Sequence, residues 1–469
     1  MAEERNSEIA YRSKAVLKPE QMESKGLVRR AILSLAGPVI VEQILAMFVQ
    51  VVDAAMVGRL GAEVVAGISL SFQPMMLVSG IFGGIAVGNT VLVARSVGAG
   101  DRSTASNTAR QSLLIGSLLA LVLSVPGWFL APEVISLMGA EGEALRRGAA
   151  YFRWLIPGAP FMLASFIAAG SLRGAGDTVT PMVVNAASNL LNVALNWVLI
   201  WGKLGMPRLE ERGAAIATSI SRFFAFLALI LVMSRAKSVV HFSWRNPKEV
   251  ARIDWSLVQK IFRIGLPAAA ERIVMSGAQL VYARTVASLG MIAYAAHAVS
   301  LNAESISFMP AFGFATAAST MVGQNLGAKQ PRAASVSAWE CWKMALMVMG
   351  AMGVLFALFP TAFMKIFTDD VRVFPFGYIT MRIMGYVQFP ESIGFVLGGA
   401  LRGAGDTRSV LIYTIIGAWG VRVGLALLFI AAFKWELLGA WLAMALDWTV
   451  RASLMFWRWN SGKWQHITV

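Results

Sequence analysis

Cysteine, histidine and acidic residues are all scarce in this chain. Of 469 residues one is cysteine, Cys341, and three are histidine, His241, His297 and His466. One cysteine cannot make a disulfide framework, and four such residues leave too few soft ligands for a zinc, haem or iron–sulfur site. Redox and metal chemistry of those kinds are therefore not expected. Charge is thin as well: 14% of residues are Asp, Glu, Lys or Arg, against about 25% in an average soluble domain. Acids are the rarer sign, 26 against 41 Lys and Arg, for a formal charge of +15. The segment 1–30 carries both signs and no apolar core, so no cleavable signal peptide is expected and the first span is the first insertion signal.

What fills the chain instead is apolar sequence, 57% of all residues, in stretches of membrane-spanning length from Ala31 to Trp457. Breaks at charged and Gly/Pro clusters give twelve spans, near 31–57, 64–93, 111–130, 151–171, 179–201, 213–234, 261–286, 291–322, 339–360, 377–400, 409–432 and 437–457. Such segments lack period-2 alternation, and in lipid only helices and closed barrels satisfy the backbone, so the expected fold is an all-α polytopic membrane protein.

Counting Lys and Arg in alternate connections gives 23 on the side of the N-terminus and 9 on the other. The positive-inside rule then places both termini in the cytoplasm. The basic excess marks the inner membrane face, and nucleic acid is not needed to explain it.

Internal repetition is the strongest signal. Leu172–Thr178 reads LRGAGDT and Leu401–Thr407 reads LRGAGDT again, which sets one constant offset in numbering between the two halves. The same offset carries Pro38 onto Pro267, Glu42 onto Glu271, Leu60-Gly61 onto Leu289-Gly290 and Gly98-Ala99 onto Gly327-Ala328. Each half holds six spans, and because six is even the repeats are parallel, as two lobes around a central cavity. The expected domains are a cytoplasmic arm (1–30), an N-lobe (31–234), a cytoplasmic linker (235–260), a C-lobe (261–457) and a cytoplasmic tail (458–469). The LRGAGDT turns lack the GK[ST] of a P-loop and read as cytoplasmic turns with a basic anchor and a helix-capping carboxylate.

A carboxylate within a span is expensive and points to function. Asp53 lies 22 residues into the first span, about 33 Å along a helix; its other reading is a structural tie to Arg59. Asn189, Asn192 and Asn196, at i, i+3 and i+7, share one face of span five. They either line a cavity or hydrogen-bond between helices. Glu42 and Glu271 each follow a span's proline by four residues, and Glu391 lies on span ten; structural ion pairs are the alternative for all three. An acid at Glu391 would attract a cationic substrate provided no neighbouring arginine neutralises it. Asp447 and Arg451, at i and i+4, read as a structural pair, and Glu304 as a similar case with Asn302 and Gln324 beside it.

Gly37-Pro38 followed by VDAAMVGRLG at Val52–Gly61, VGAGD at Val97–Asp101, VGQNLGA at Val322–Ala328 and the doubled LRGAGDT together resemble the multidrug and toxin extrusion (MATE) family over about residues 30–457. The resemblance implies a twelve-helix, two-lobed antiporter, not an enzyme. It would export amphipathic, often cationic organic compounds in exchange for H⁺ or Na⁺ by alternating access. It implies a cation-coupling site at Asp53, Asn192, Asn196 and Thr218, with Na⁺ at Asp53, Asn192 and Asn196 as the metal it allows. Family members with that site carry a second acid where this chain has Asn196, which cannot be protonated. The acid of span seven in another branch falls at Met275, whereas Glu391 matches the place of a family acid.

Glu391, Glu271, Asn189, Gln50, Gln279 and Glu42 complete the candidate cavity residues. No cofactor beyond the coupling ion is expected. The expected partners are small organic molecules, H⁺ or Na⁺ and membrane lipid, with no nucleic acid, and the expected functional form is a monomer in the cell (inner or plasma) membrane. The alternative of the same architecture is a lipid-linked saccharide flippase, which would need cationic residues such as Arg222, Arg284, Arg382 and Arg422 to meet pyrophosphate. An intramembrane enzyme lacks its residues: no Ser/His/Asp or paired-Asp constellation recurs in the spans.

Overall fold

In the computed structural model, residues 15–17, 22–235, 238–241 and 252–468 are described. Most of the expected cytoplasmic arm, and 242–251 of the linker, lie outside them. The first repeat comprises α1 (Lys25–Gly58), α2 (Ala62–Gly98), α3 (Arg102–Phe129), the short α4 (Ala131–Leu137), α5 (Gly142–Leu155), α6 (Ala159–Gly174), α7 (Val179–Trp201) and α8 (Glu210–Met233). The second comprises α9 (Trp255–Ala287), α10 (Met291–Gly327), α11 (Pro331–Leu358), α12 (Pro360–Phe367), α13 (Phe374–Gly403), α14 (Thr407–Thr414), α15 (Gly424–Ala431) and α16 (Glu436–Asn460). A 3₁₀ turn joins α5 to α6, and a π-helical stretch, Ile415–Val423, joins α14 to α15. Read as continuous paths these make twelve spans, six per repeat, and the described residues contain no strand. Nine of the twelve are long and apolar enough to cross a membrane by composition alone. The other three, α9, α13 and α16, carry charged residues within their length, among them Glu271, Glu391 and Asp447.

The offset between the two motifs reproduces the helix boundaries: α2 begins at 62 and α10 at 291, α3 ends at 129 and α11 at 358, α6 ends at 174 and α13 at 403. Packing divides the chain into two compact units, one of Val41–Ala269 and one of Ala270–Val469 with the chain up to Ile40. The divisions fall inside α1 and α9, at equivalent positions of the two repeats. They do not fall in the 235–260 linker, so these units are offset from the expected lobes by the first turns of each repeat's leading helix.

Each LRGAGDT copy ties its unit together at the end of a helix. Leu172 and Leu401 are buried. Arg173 Nη1 donates to Glu42 Oε2 at 3.1 Å, and Arg402 Nη2 to Glu271 Oε1 at 2.6 Å, so the second residue of the motif neutralises the acid that follows the proline of its own repeat. Asn185 Nδ2 adds a bond of 2.7 Å to Glu42 Oε1. The next residue, Gly174 or Gly403, is where helices touch backbone to backbone. A Cβ there would lie 2.6 Å from the Thr90 carbonyl oxygen or 2.7 Å from Ser319 Cα, which are equivalent positions of the repeats. Gly176 (φ 91°) and Gly405 (φ 86°) then take the left-handed conformation that ends the helix. The copies diverge at the final acid. Asp177 Oδ1 accepts from the Thr180 amide at 2.9 Å, as expected of a cap. Asp406 makes no capping bond and instead accepts from Arg458 Nε at 2.6 Å.

The motif after α2 is also a cap. Asp101 Oδ1 accepts from the Thr104 amide at 2.8 Å, and the Thr104 hydroxyl and amide hold the Asp101 carboxyl below the usual carboxylate range. The VGQNLGA stretch at the end of α10 does other work: Asn325 accepts from the Leu17 amide at 3.1 Å and donates to the Ala15 carbonyl at 3.0 Å, pinning residues 15–17 into the core of that unit.

Gly403→Ala should destabilise the protein by about 1–3 kcal/mol, the usual cost of overpacking, because the obstruction is backbone and cannot rotate away. Gly37→Ala, where a Cβ meets nothing within 4 Å, should be neutral or slightly stabilising. Thermal unfolding of the two variants in detergent makes the comparison; equal melting temperatures would remove the close approach as the reason for the glycine.

Candidate functional site

Polar residues on three helices of the unit 41–269 converge on one carboxylate. Asp53 lies near the end of α1 and is half-buried; Asn192 and Asn196 face it from α7 and are buried. Asn196 Nδ2 donates to Asp53 Oδ1 at 2.8 Å. Asn192, oriented so that both ends of its amide are matched, donates to Asp53 Oδ2 at 3.1 Å and accepts from the Thr218 hydroxyl of α8 at 3.2 Å. Arg222 of α8 and Tyr151 of α5 lie within electrostatic reach of the same carboxylate. Arg59 is exposed and makes no ion pair with Asp53.

One atom in this cluster is left over. Asn196 Oδ1 is buried and receives no hydrogen bond from any described residue. Buried acceptors are ordinarily satisfied, because an unmet one costs about 1–3 kcal/mol. Together with the two Asp53 oxygens and Thr218 Oγ1 it makes a set of hard oxygen donors with a single formal charge, which suits a proton or a small monovalent cation.

Asp53, Asn192, Asn196 and Thr218 are therefore neighbours, and the other candidates stand elsewhere. Glu42 and Glu271 are held in the ion pairs with Arg173 and Arg402 described above; Glu271 does not pair with the adjacent Arg272. Asn189 is half-buried and makes no hydrogen bond among the described residues, while Gln50 and Gln279 are exposed. Asn185, one helical turn before Asn189 on the same stripe, was not singled out from sequence although its i, i+4 spacing continues the asparagine face.

Glu391 is in different company from that expected. In the unit that runs from Ala270, it is buried on α13 beside the carboxyl of Glu304 from α10, with Arg422 and Arg451 in electrostatic reach. Gln388 Nε2 donates to Glu391 Oε2 at 3.3 Å, and the Ser307 hydroxyl donates to Gln388 Oε1. Glu304 thus meets another acid, whereas Asn302 is exposed. Asp447 is more than one half of a helical pair: it accepts from Arg451 Nε at 2.6 Å and also from Arg422 Nε at 2.8 Å. The π-helical stretch brings Arg422 there, and Gly417 within it is required because a Cβ would meet Arg451 Cδ at 2.7 Å. Two carboxylates in contact repel unless a proton or cation lies between them. Asp447 balances one of its two arginines, so one positive charge is left to face Glu304 and Glu391, and a second is required when both are ionised.

The offset relates the two clusters. Tyr282 stands where the first repeat has Asp53, Asp447 where it has Thr218, and Arg451 where it has Arg222. The acid has moved from the repeat's first helix to its last, and the arginine has stayed. Of the remaining arginines that a pyrophosphate-binding cavity would need, Arg422 is neutralised by Asp447, and Arg284 and Arg382 are exposed.

A family model described as MatE matches residues 38–198 and 267–428, the two repeats. A probable multidrug resistance protein NorM of Thermotoga maritima is 32% identical over 445 residues, 94% of each chain. The multidrug resistance protein MdtK of Edwardsiella ictaluri is 30% identical over 83% of this chain and 85% of its own. Among solved structures, a MATE in complex with MaD3S superposes with a TM-score of 0.85 at 22% identity, covering 95% of this chain and 98% of the other. The outward-facing form of a multidrug resistance MATE family transporter of the MOP superfamily also gives 0.85, at 24% identity over 92% and 95%. The doubled motif, the twelve helical paths in two parallel repeats and these likenesses together place the chain in the MatE family of multi-pass membrane transporters.

Proposed function

We propose that the protein exports amphipathic organic compounds, cationic ones among them, in exchange for H⁺ or Na⁺, and that Asp53 is the coupling group. The observation that carries the reading is the Asp53 carboxylate held by two amides in a spanning helix beside an unmet buried acceptor, Asn196 Oδ1. The substrate class is supported by the names of the relatives, which are multidrug resistance proteins. Excess Lys and Arg in alternate connections supports cytoplasmic termini in a cell (inner or plasma) membrane.

The coupling follows from hydrogen-bond polarity. An ionised Asp53 only accepts, and both amides present N–H groups to it, tying α1 to α7. A proton on Asp53 turns one acceptor into a donor and breaks that match. Na⁺ instead draws the Asn196 and Thr218 oxygens inward and satisfies the orphan. Either cation changes how firmly the last turns of α1 are held, which gives the ion a differential affinity for two arrangements of the helix. The Glu304–Glu391 pair is a second place where a proton or cation is required, and it would be neutralised in the same cycle. Alternating access requires that occupancy of these sites and of the substrate site be mutually exclusive.

Asp53→Asn keeps the size, deletes the charge and turns one of the two acceptors into a donor. Drug efflux from proteoliposomes under an ion gradient should fall by about 5–150-fold, the range a coupling free energy of about 1–3 kcal/mol commands. Wild-type efflux in that variant would remove Asp53 from the mechanism.

Asn196→Asp should raise Na⁺ affinity or move the pH optimum of transport upward by about 1–3 units, because a second carboxylate beside Asp53 strengthens cation ligation and proton affinity alike. Unchanged Na⁺ and pH dependence in an active variant would show that the two residues do not share a cation.

Glu391→Gln removes the mutual repulsion with Glu304 and should reduce the number of cations exchanged per substrate while leaving Asp53-dependent exchange in place. Reversal-potential measurements on the purified transporter read that stoichiometry directly; an unaltered value would confine Glu304 and Glu391 to a structural role.

A further inference from the structure

Arg382 is the one membrane-depth arginine of α13 that the clusters above do not use. It lies eight residues into the helix, and about 31 Å of helix separates it from Gly403 at the other end, so it sits at the edge of a hydrocarbon layer about 30 Å thick. No carboxylate lies within 4 Å of it among the described residues; its guanidinium rests 4.7 Å above the ring of Tyr378, one turn away. Beside it a cavity of about 410 Å³ opens between α13 and α16, lined by Arg382, Ile383, Tyr386, Leu442, Leu446 and Thr449 among others. The Tyr386 and Thr449 hydroxyls bond each other at 3.2 Å. That leaves the wall apolar and the guanidinium as its only charge.

We infer that this trench holds an anionic phospholipid, with the phosphate on Arg382 and an acyl chain along Leu442, Leu446 and Ile383. An unpaired cation at the boundary of the hydrocarbon is complemented by the charge of a headgroup at the same depth. The trench runs inward from that cation along α16, from Leu442 near the helix start to Thr449 seven residues deeper, about 10 Å, as a chain descending from its headgroup would. A soluble anion would match the guanidinium but not the apolar wall, and a neutral lipid the wall but not the charge. Lipid binding here does not depend on the proposed transport function.

The test is retention of dioleoyl phosphatidylglycerol against dioleoyl phosphatidylcholine by the purified full-length protein, read by native mass spectrometry without any transport assay. Wild type should retain phosphatidylglycerol preferentially. Arg382→Gln should weaken that retention about five-fold, the worth of one basic residue at a charged membrane surface, and leave phosphatidylcholine unaffected. Arg382→Lys should restore the preference. Leu446→Trp, which narrows the trench and leaves the charge, should reduce retention of both lipids. Equal retention of the two lipids by wild type, an unchanged preference in Arg382→Gln, or displacement of phosphatidylglycerol by millimolar inorganic phosphate would each overturn the assignment.

Discussion

Charges carried on helices that cross a bilayer have no water to fall back on, so each must find its complement in protein, in an exchanged ion or in lipid. In this molecule the first outcome is seen directly in several ion pairs, and the other two are what we propose for the charges that remain. Glu42 with Arg173, Glu271 with Arg402 and Asp447 with Arg422 and Arg451 are closed within the protein. Asp53 is met by amides with Arg222 in electrostatic reach, and Glu304 and Glu391 meet each other with Arg422 and Arg451 in reach.

The closed pairs explain the doubled motif better than any ligand would. In LRGAGDT the arginine reaches back to the acid near a helix proline, the next glycine lets two backbones touch, and the following glycine turns the chain. An ancestral bundle that needed all three at once would conserve them in both copies, and it has. Elsewhere the copies differ: Tyr282 stands where the first repeat has Asp53, Asp447 where it has Thr218, and a π-helical stretch with no counterpart in α7 swings Arg422 into the second cluster. The repeats share a frame and differ in where the frame holds its charge.

Composition and repetition were enough to read the architecture. Apolar runs fixed twelve spans, and the offset between two copies of one motif gave the register of the repeats, because helix length in a bilayer is set by its thickness and little else. The asparagine stripe on α7 was legible too, since spacing alone puts Asn192 and Asn196 on one helical face. That they meet Asp53 was implied by resemblance, and no spacing rule connects helices so far apart along the chain. Glu391 shows the opposite case. Read along its own helix it has no arginine close by, and the neighbours that decide its chemistry, Glu304, Arg422 and Arg451, arrive from three other helices.

The sequence by itself therefore determined the class of protein, the number and order of its helices and the identity of the acids that cannot be idle. Those are consequences of burial cost, which acts on a residue through its own segment. Only the tertiary structure decided which acids are closed in ion pairs and which meet amides or another acid. It also set the division of packing inside α1 and α9 in place of the linker, and the exposure of Arg382 to a trench where no carboxylate of the described residues meets it. Each of these depends on what a neighbouring helix presents, and electrostatic pairing over a few ångströms carries no signature in the order of residues along the chain.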